Sequence, residues 1–301
     1  MGDDQQHGHA PMRFGVAFAV GAGLNIGLVA AQVIWGIAAN SMALLADAVH
    51  NGGDVLGLLL AWAAFLMARR QPTAQRTYGW GRGTILAALV NAVVLLVSVG
   101  AIAAAAGERL LAGSPVAERT VMWVAGAGIV INGLTAVLFA RGHEDMNIRA
   151  IFMHMAADAA ISAGVLVAAV AILFTGRHWI DPLVGLAIAG LIMVGTWGLL
   201  RDSMNLAMDG VPGGIAEHEV KAWLGGLPGV EEVHDLHIWA LSTTETALTA
   251  HLVRAEQADG QALISAACQG LGVRFKIHHA TVQVETAAVA AACRLRPEHV
   301  V

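Results

Sequence analysis

LADAVHNGGDVLGLLLAW (residues 45–62) decides the fold. Its second half is unbroken apolar sequence, the texture of a membrane-crossing helix, yet Asp47, His50 and Asp54 sit in its first half. An Asp at the centre of such a helix costs roughly 2.5–3.5 kcal/mol on insertion scales, and an intramembrane ionisable group reads as functional by default. The stretch therefore asks for partners elsewhere in the chain.

The composition around it agrees with a membrane setting. The 301 residues are 57% hydrophobic and only 13% charged, too apolar for an ordinary soluble domain. A net charge of -5 gives no basic nucleic-acid-binding profile. The two cysteines, Cys268 and Cys293, form no CxxC pair, so there is no disulfide framework and no thiolate zinc knuckle. The polar start (1–13) lacks the basic region and short apolar core of a cleaved signal peptide, so the first apolar run is expected to stay in the mature protein.

A span needs about 20 mostly apolar residues. Six stretches qualify: 14–38, 43–68, 83–107, 120–140, 148–175 and 182–200. Asn40-Ser41 is the only punctuation between the first two, which predicts a tight hairpin. Arg13, Arg69, Arg70, Arg76, Arg82, Arg141, Arg149 and Arg201 fall on one side, against Arg109, Arg119 and Arg177 on the other. The richer side is expected to be cytoplasmic, and an even number of spans puts both termini there. The reading is an α-helical membrane protein with a polar tail at 1–13 and a six-helix domain at 14–208. A cytoplasmic α+β domain follows at 209–286, then a tail at 287–301. Within 209–286 the periodicities switch in the order αββαβ: helix at 215–227, strands at 230–241 and 244–255, helix at 258–272, strand at 276–285.

The partners lie in span 5. His50-Asn-Gly-Gly-Asp54 and His154-Met-Ala-Ala-Asp158 are both HxxxD. A spacing of four puts both side chains on one helical face, about 6 Å apart along the axis. Counted from the span ends, both pairs fall near the middle of a core about 30 Å thick. Two such helices facing each other offer two nitrogens and two oxygens, a tetrahedral set suited to zinc. The alternative, interhelical hydrogen bonds that merely hold the bundle, does not require the same motif twice at matching depth. Gly52 and Gly53 inside the first motif lower helix propensity by about 1 kcal/mol each and leave room for close packing or water.

LLADAVHNGGD (44–54), QRTYGWGRGTILAALVNAVVLL (75–96), NIRAIFMHMAADA (147–159) and VHDLHIWAL (233–241), in this order, resemble the cation diffusion facilitator family. The likeness is to its zinc-transporting CzcD/ZitB-like branch and spans nearly the whole chain. The resemblance implies a homodimeric metal–proton antiporter that exports divalent cations from the cytoplasm across the bacterial inner membrane. It implies a transport site of His50, Asp54, His154 and Asp158, with Zn²⁺ as substrate, and a His at the first position is similar to the zinc-preferring members. It implies a regulatory metal, Zn²⁺ again, in the cytoplasmic domain, at positions matching His234, His251, His278 and Glu285. It also implies an Arg82–Asp209 charge pair that holds the dimer at the membrane surface. No organic cofactor and no nucleic acid are expected; the other partners are the lipid bilayer, metal ions and protons.

Some positions depart from the family pattern. The loop between spans 2 and 3 has no histidines, so an extra site there is expected to be absent, and the Gly-Ser expected after the span 5 motif is Ala160-Ile161. His237, His279, His7, His9 and His143 are left without an assigned ligand role, and Glu144 and Asp145 are expected to attract cations. Asp47 stays outside the expected ligand shell. Two other classes are weighed. A membrane-bound metalloenzyme would need an open coordination position and a base, as in HExxH, and no such motif occurs. A sensor with a membrane anchor would not need six spans with paired buried ligands. The ion remains open among Zn²⁺, Cd²⁺, Co²⁺, Ni²⁺, Fe²⁺ and Mn²⁺, because affinity order alone does not fix selectivity.

Overall fold

A computed structural model describes residues 12–139 and 146–296, with side chains described for 23–137 and 152–296. His7, His9, His143, Glu144 and Asp145 lie outside the described residues. Six long helices come first: α1 (Met12–Ala38), α2 (Met42–Ala68), α3 (Gly83–Ala112), α4 (Glu118–Phe139), α5 (Met146–Thr175) and α6 (Ile180–Ala207). Then follow α7 (Glu217–Gly225), β1 (Val230–Ala240), β2 (Thr246–Arg254), α8 (Gly260–Phe275), β3 (His279–Thr286) and α9 (Ala287–Ala292). Among the described residues, α2 to α6 provide five helices long and apolar enough to cross a membrane, and Gly23–Ala38 of α1 is a shorter apolar stretch. The chain divides into two compact units, Met1–Leu58 with Asn91–Trp197, and Leu59–Val90 with Gly198–Val301.

The first unit buries several polar groups inside an apolar core and exposes an apolar exterior. Gln32, Asp47, Asn51, Asp158 and Ser162 are buried, whereas Ile37, Val97, Trp123, Phe174 and Val194 are widely exposed. In water such an apolar surface would be a liability; against lipid it is the required face. The α1–α2 hairpin turns at Asn40, whose φ of 57° is left-handed, a conformation Asn tolerates. Ser41 then caps α2, its Oγ accepting from the Leu44 N–H at 3.1 Å. Asp181, in the first turn of α6, accepts from the Met42 and Ala43 N–H groups and from the Ser41 hydroxyl. A carboxylate at a helix N-terminus meets unpaired donors and the positive end of the dipole. Gly53 lets α3 press onto α2: a Cβ there would lie 2.2 Å from Leu95 Cδ2.

In the second unit the sheet has the order β1-β2-β3, antiparallel between β1 and β2 and parallel between β2 and β3. Leu248, Ala250 and Leu252 of β2 join Val220 and Leu224 of α7 and Ala267 and Leu271 of α8 in one core. Asp259 caps α8, its carboxylate accepting from the Gln261 and Ala262 N–H groups. That helix runs through Gly270 and Gly272, where the sequence reading ended it, to a left-handed Lys276. Gly270 serves packing instead of termination, since a Cβ there would lie 2.1 Å from the Trp223 ring. Residues 287–292, read from sequence as tail, form the short helix α9. Arg82 and Asp209 meet as an ion pair, and Asp209 itself is left-handed at φ 58°.

Candidate metal centres

The first centre lies between α2 and α5. Alanines flank the ligands of α5 (Ala156, Ala157, Ala159, Ala160), which favours the helix and keeps its surface low. His50 Nε2 lies 3.1 Å from Asp158 Oδ1, and His154 Nε2 lies 3.2 Å from Asp54 Oδ2. His154 is also 3.8 Å from Asp158 Oδ2, and the two imidazole centroids are 6.2 Å apart. His50, Asp54 and Asp158 each offer a ligand atom within 4.8 Å of the others. Asp158 is almost fully buried. Asp54 Oδ2 is a buried atom whose one close polar neighbour is the His154 imidazole, an arrangement a cation can enter. Three of the four residues named from sequence thus share one cluster of ligand atoms, and His154 lies beside it against Asp54 and Asp158.

The second centre lies on the sheet face opposite α7 and α8. His234 of β1 pairs in register with His251 of β2, and Glu285 of β3 pairs with Val253, two residues along on the same face. His234 Nε2 lies 2.9 Å from Glu285 Oε1 and His251 Nδ1 lies 3.2 Å from it. Cys293, just after α9, brings its Sγ to 3.9 Å from His251 Nδ1. One ligand atom from each of His234, His251, Glu285 and Cys293 falls within 4.8 Å of all the others. His234 is buried, its ring nitrogens meet carboxylates without well-directed hydrogen bonds, and Glu285 Oε2 has no hydrogen bond. Two imidazoles, a carboxylate and a thiol fit zinc. Asp235 Oδ2 stands 3.5 Å from His251 Nε2 and orients that ring from behind.

His278 is not brought to this cluster. It is exposed ahead of β3, with its ring beside Gly272. Cys293 stands where a fourth ligand was sought. Sequence offered only a lone cysteine eight residues after Glu285, in a stretch read as tail. His237 lies 2.9 Å from Asp235, and His279 stacks edge-on against Tyr78 at 5.4 Å, both outside the ligand cluster.

Two family models match successive parts of the chain. Residues 18–206 match the cation efflux transmembrane domain, and residues 212–287 match the cation efflux protein cytoplasmic domain. The zinc transporter ZitB of Escherichia coli (strain K12) is 35% identical over 87% of this chain and 85% of its own length. The human proton-coupled zinc antiporter SLC30A2 is 32% identical over 94% of this chain and 78% of its own. A solved metal-bound C-terminal domain of the CzcD transporter is 35% identical over 24% of this chain and 99% of that domain, with a TM-score of 0.23. The two domain matches together span most of the sequence, and the chain belongs to the cation efflux, or cation diffusion facilitator, family of membrane transporters.

Proposed function

We propose that this protein exports Zn²⁺ from the cytoplasm in exchange for protons, working as a homodimer in a bacterial cytoplasmic membrane with both termini inside. The observation that carries this reading is the crossing of the two HxxxD motifs, each histidine against the other motif's carboxylate. Two carboxylates neutralise the charge of a divalent ion, so the loaded site tolerates the low-dielectric bundle. Metal and proton compete for the same imidazole and carboxylate atoms, which is the chemical basis of exchange. An empty, unprotonated site would leave two carboxylates charged at membrane depth, and that disfavours an uncoupled return. Support for the orientation comes from the arginine excess of one loop side.

The cytoplasmic centre is proposed to hold a regulatory Zn²⁺ through His234, His251, Glu285 and Cys293, and through this domain to influence the dimer. Arg82 and Asp209 are proposed as a structural pair. The test is flux in proteoliposomes: an outward-directed Zn²⁺ gradient should drive counter-movement of H⁺, and competition by Cd²⁺, Co²⁺, Ni²⁺, Fe²⁺ and Mn²⁺ should rank the substrates. The second reading, an exporter selective for another divalent cation, holds if one of those ions outcompetes Zn²⁺.

A further inference from the structure

The helices that carry the first centre share a third cross-link, and it holds none of the four ligands. Along antiparallel α2 and α5 the contacts run Asp54 to His154, His50 to Asp158, and one turn farther Asp47 to Ser162. The Ser162 hydroxyl donates to Asp47 Oδ2 at 2.9 Å. The same oxygen accepts from Gln32 Nε2 of α1 at 2.7 Å. Asn51 Nδ2 donates to Asp47 Oδ1 at 3.2 Å and to Gln32 Oε1 at 3.1 Å. Gln32, Asp47 and Ser162 are 0% exposed and Asn51 is 2% exposed, so water is no substitute partner. Gly128 of α4 closes the remaining side, because a Cβ there would lie 2.8 Å from Ser162 Oγ and 3.7 Å from Gln32 Nε2.

We propose that the Asp47–Ser162 link is a spacer that fixes the α2–α5 separation and thereby sets the ion-size selectivity of the His50, Asp54, His154 and Asp158 site. This rests on the transport-site reading above. Both oxygens of Asp47 are occupied by amide and hydroxyl donors, so it is a positioning residue. Moving α5 away from α2 would break the Ser162 bond and orphan a buried carboxylate oxygen in a medium with no replacement donor. The spacer therefore resists widening. Zinc, with ligand distances of about 2.0–2.2 Å to N and O, fits the closed spacing. A larger ion of the same charge, such as Cd²⁺, needs the helices apart. Selectivity among divalent ions comes from such geometry, since raw affinity order does not supply it.

The experiment uses the full-length protein in proteoliposomes, with initial rates for Zn²⁺ and Cd²⁺ measured separately. Ser162→Ala should raise the KM for Zn²⁺ about tenfold, the low end of what an outer-shell partner is worth, and change that for Cd²⁺ less, so the Zn²⁺/Cd²⁺ ratio of kcat/KM falls. Ser162→Thr, which keeps the hydroxyl, should restore the ratio. Asp47→Asn combined with Ser162→Ala should shift the ratio no further than the larger single change, because both remove one link. Gly128→Ala displaces the hydroxyl without removing it and should shift the ratio in the same direction; it stands in if Ser162→Ala fails to insert. An unchanged ratio, or fully additive losses, overturns the proposal. His50→Ala separates the two readings: if it transports both ions normally, the site assignment itself is wrong, whereas its loss of both ions alongside an unchanged ratio in Ser162→Ala rejects the spacer alone.

Discussion

His50 Nε2 lies 3.1 Å from Asp158 Oδ1, although the two residues are 108 positions apart and belong to different copies of the same motif. The reciprocal pair, His154 with Asp54, sits one turn along at 3.2 Å. Neither helix holds a site alone; each supplies a nitrogen to the other's oxygen.

Single replacement of His50, Asp54, His154 or Asp158 by Ala should therefore cost more than the 10–100-fold or so that loss of an outer-shell partner costs. Vesicle assays of Zn²⁺-dependent proton movement would read this directly. Normal flux in all four variants would rule out the α2–α5 centre as the path of the ion.

The cytoplasmic centre makes a sharper distinction. Titrating the purified protein with Cd²⁺ should produce an ultraviolet thiolate-to-cadmium charge-transfer band. Cys293→Ser should abolish the band and weaken binding at this centre by roughly tenfold or more, treating the loss as at least that of an outer-shell partner. His278→Ala should leave both untouched, because His278 is exposed and outside the cluster of four ligand atoms. A band that survives in Cys293→Ser, or disappears in His278→Ala, would reverse the assignment.

The HxxxD pairs were legible because the cost of charge in hydrocarbon and the 3.6-residue period act on local sequence. The spans and the αββαβ order were legible for the same reason. The ligands of the second centre depend on a β-bulge. His234 pairs with His251 and His237 with Thr249, so two β1 residues oppose one on β2, and Asp235 takes a left-handed φ of 49°. Strict alternation would put His234 and Ile238 on one face; the bulge lets Ile238 enter the core while His234 faces the opposite side. Nothing in the run VHDLHIW marks that shift. Cys293 was hidden because a six-residue helix is too short to show periodicity. Asp47 was visible as a charge, but its partners Gln32 and Ser162 come from two other helices, and their register is a tertiary fact.

The segment carrying Cys293 is tied down by charge. Arg296 makes a two-pronged contact with Glu232, at 3.0 Å from Nε and 2.7 Å from Nη2. The hydrogen bonds from Arg296 lower the Glu232 pKa below its ordinary 4.5. A depressed carboxylate stabilises the folded state fully above its unfolded pKa, and that contribution is lost as pH falls through the folded value. Amide exchange at residues 287–296 should thus be flat above about pH 5 and, after correction for intrinsic rates, rise as pH drops below 4.5. Glu232→Gln should remove this pH step. The pair is solvent-exposed, so the effect should be local and should shrink at high salt.

The start of α2 offers a stability test that leaves the ligands alone. Ser41 Oγ accepts from the Leu44 N–H and donates to Asp181, which in turn accepts from Met42 and Ala43. Ser41→Ala removes the cap and one donor to a buried carboxylate, a loss of about 1–2 kcal/mol. His50 lies nine residues on, about 13 Å along the axis. Ser41→Ala should therefore lower the thermal unfolding temperature in detergent while the KM for Zn²⁺ stays within about twofold, the range of a site whose geometry is intact. Ser41→Thr should recover most of the stability, because its hydroxyl can make both bonds. A large KM change in Ser41→Ala at temperatures where the protein is fully folded would mean that this cap and the ligand site move together.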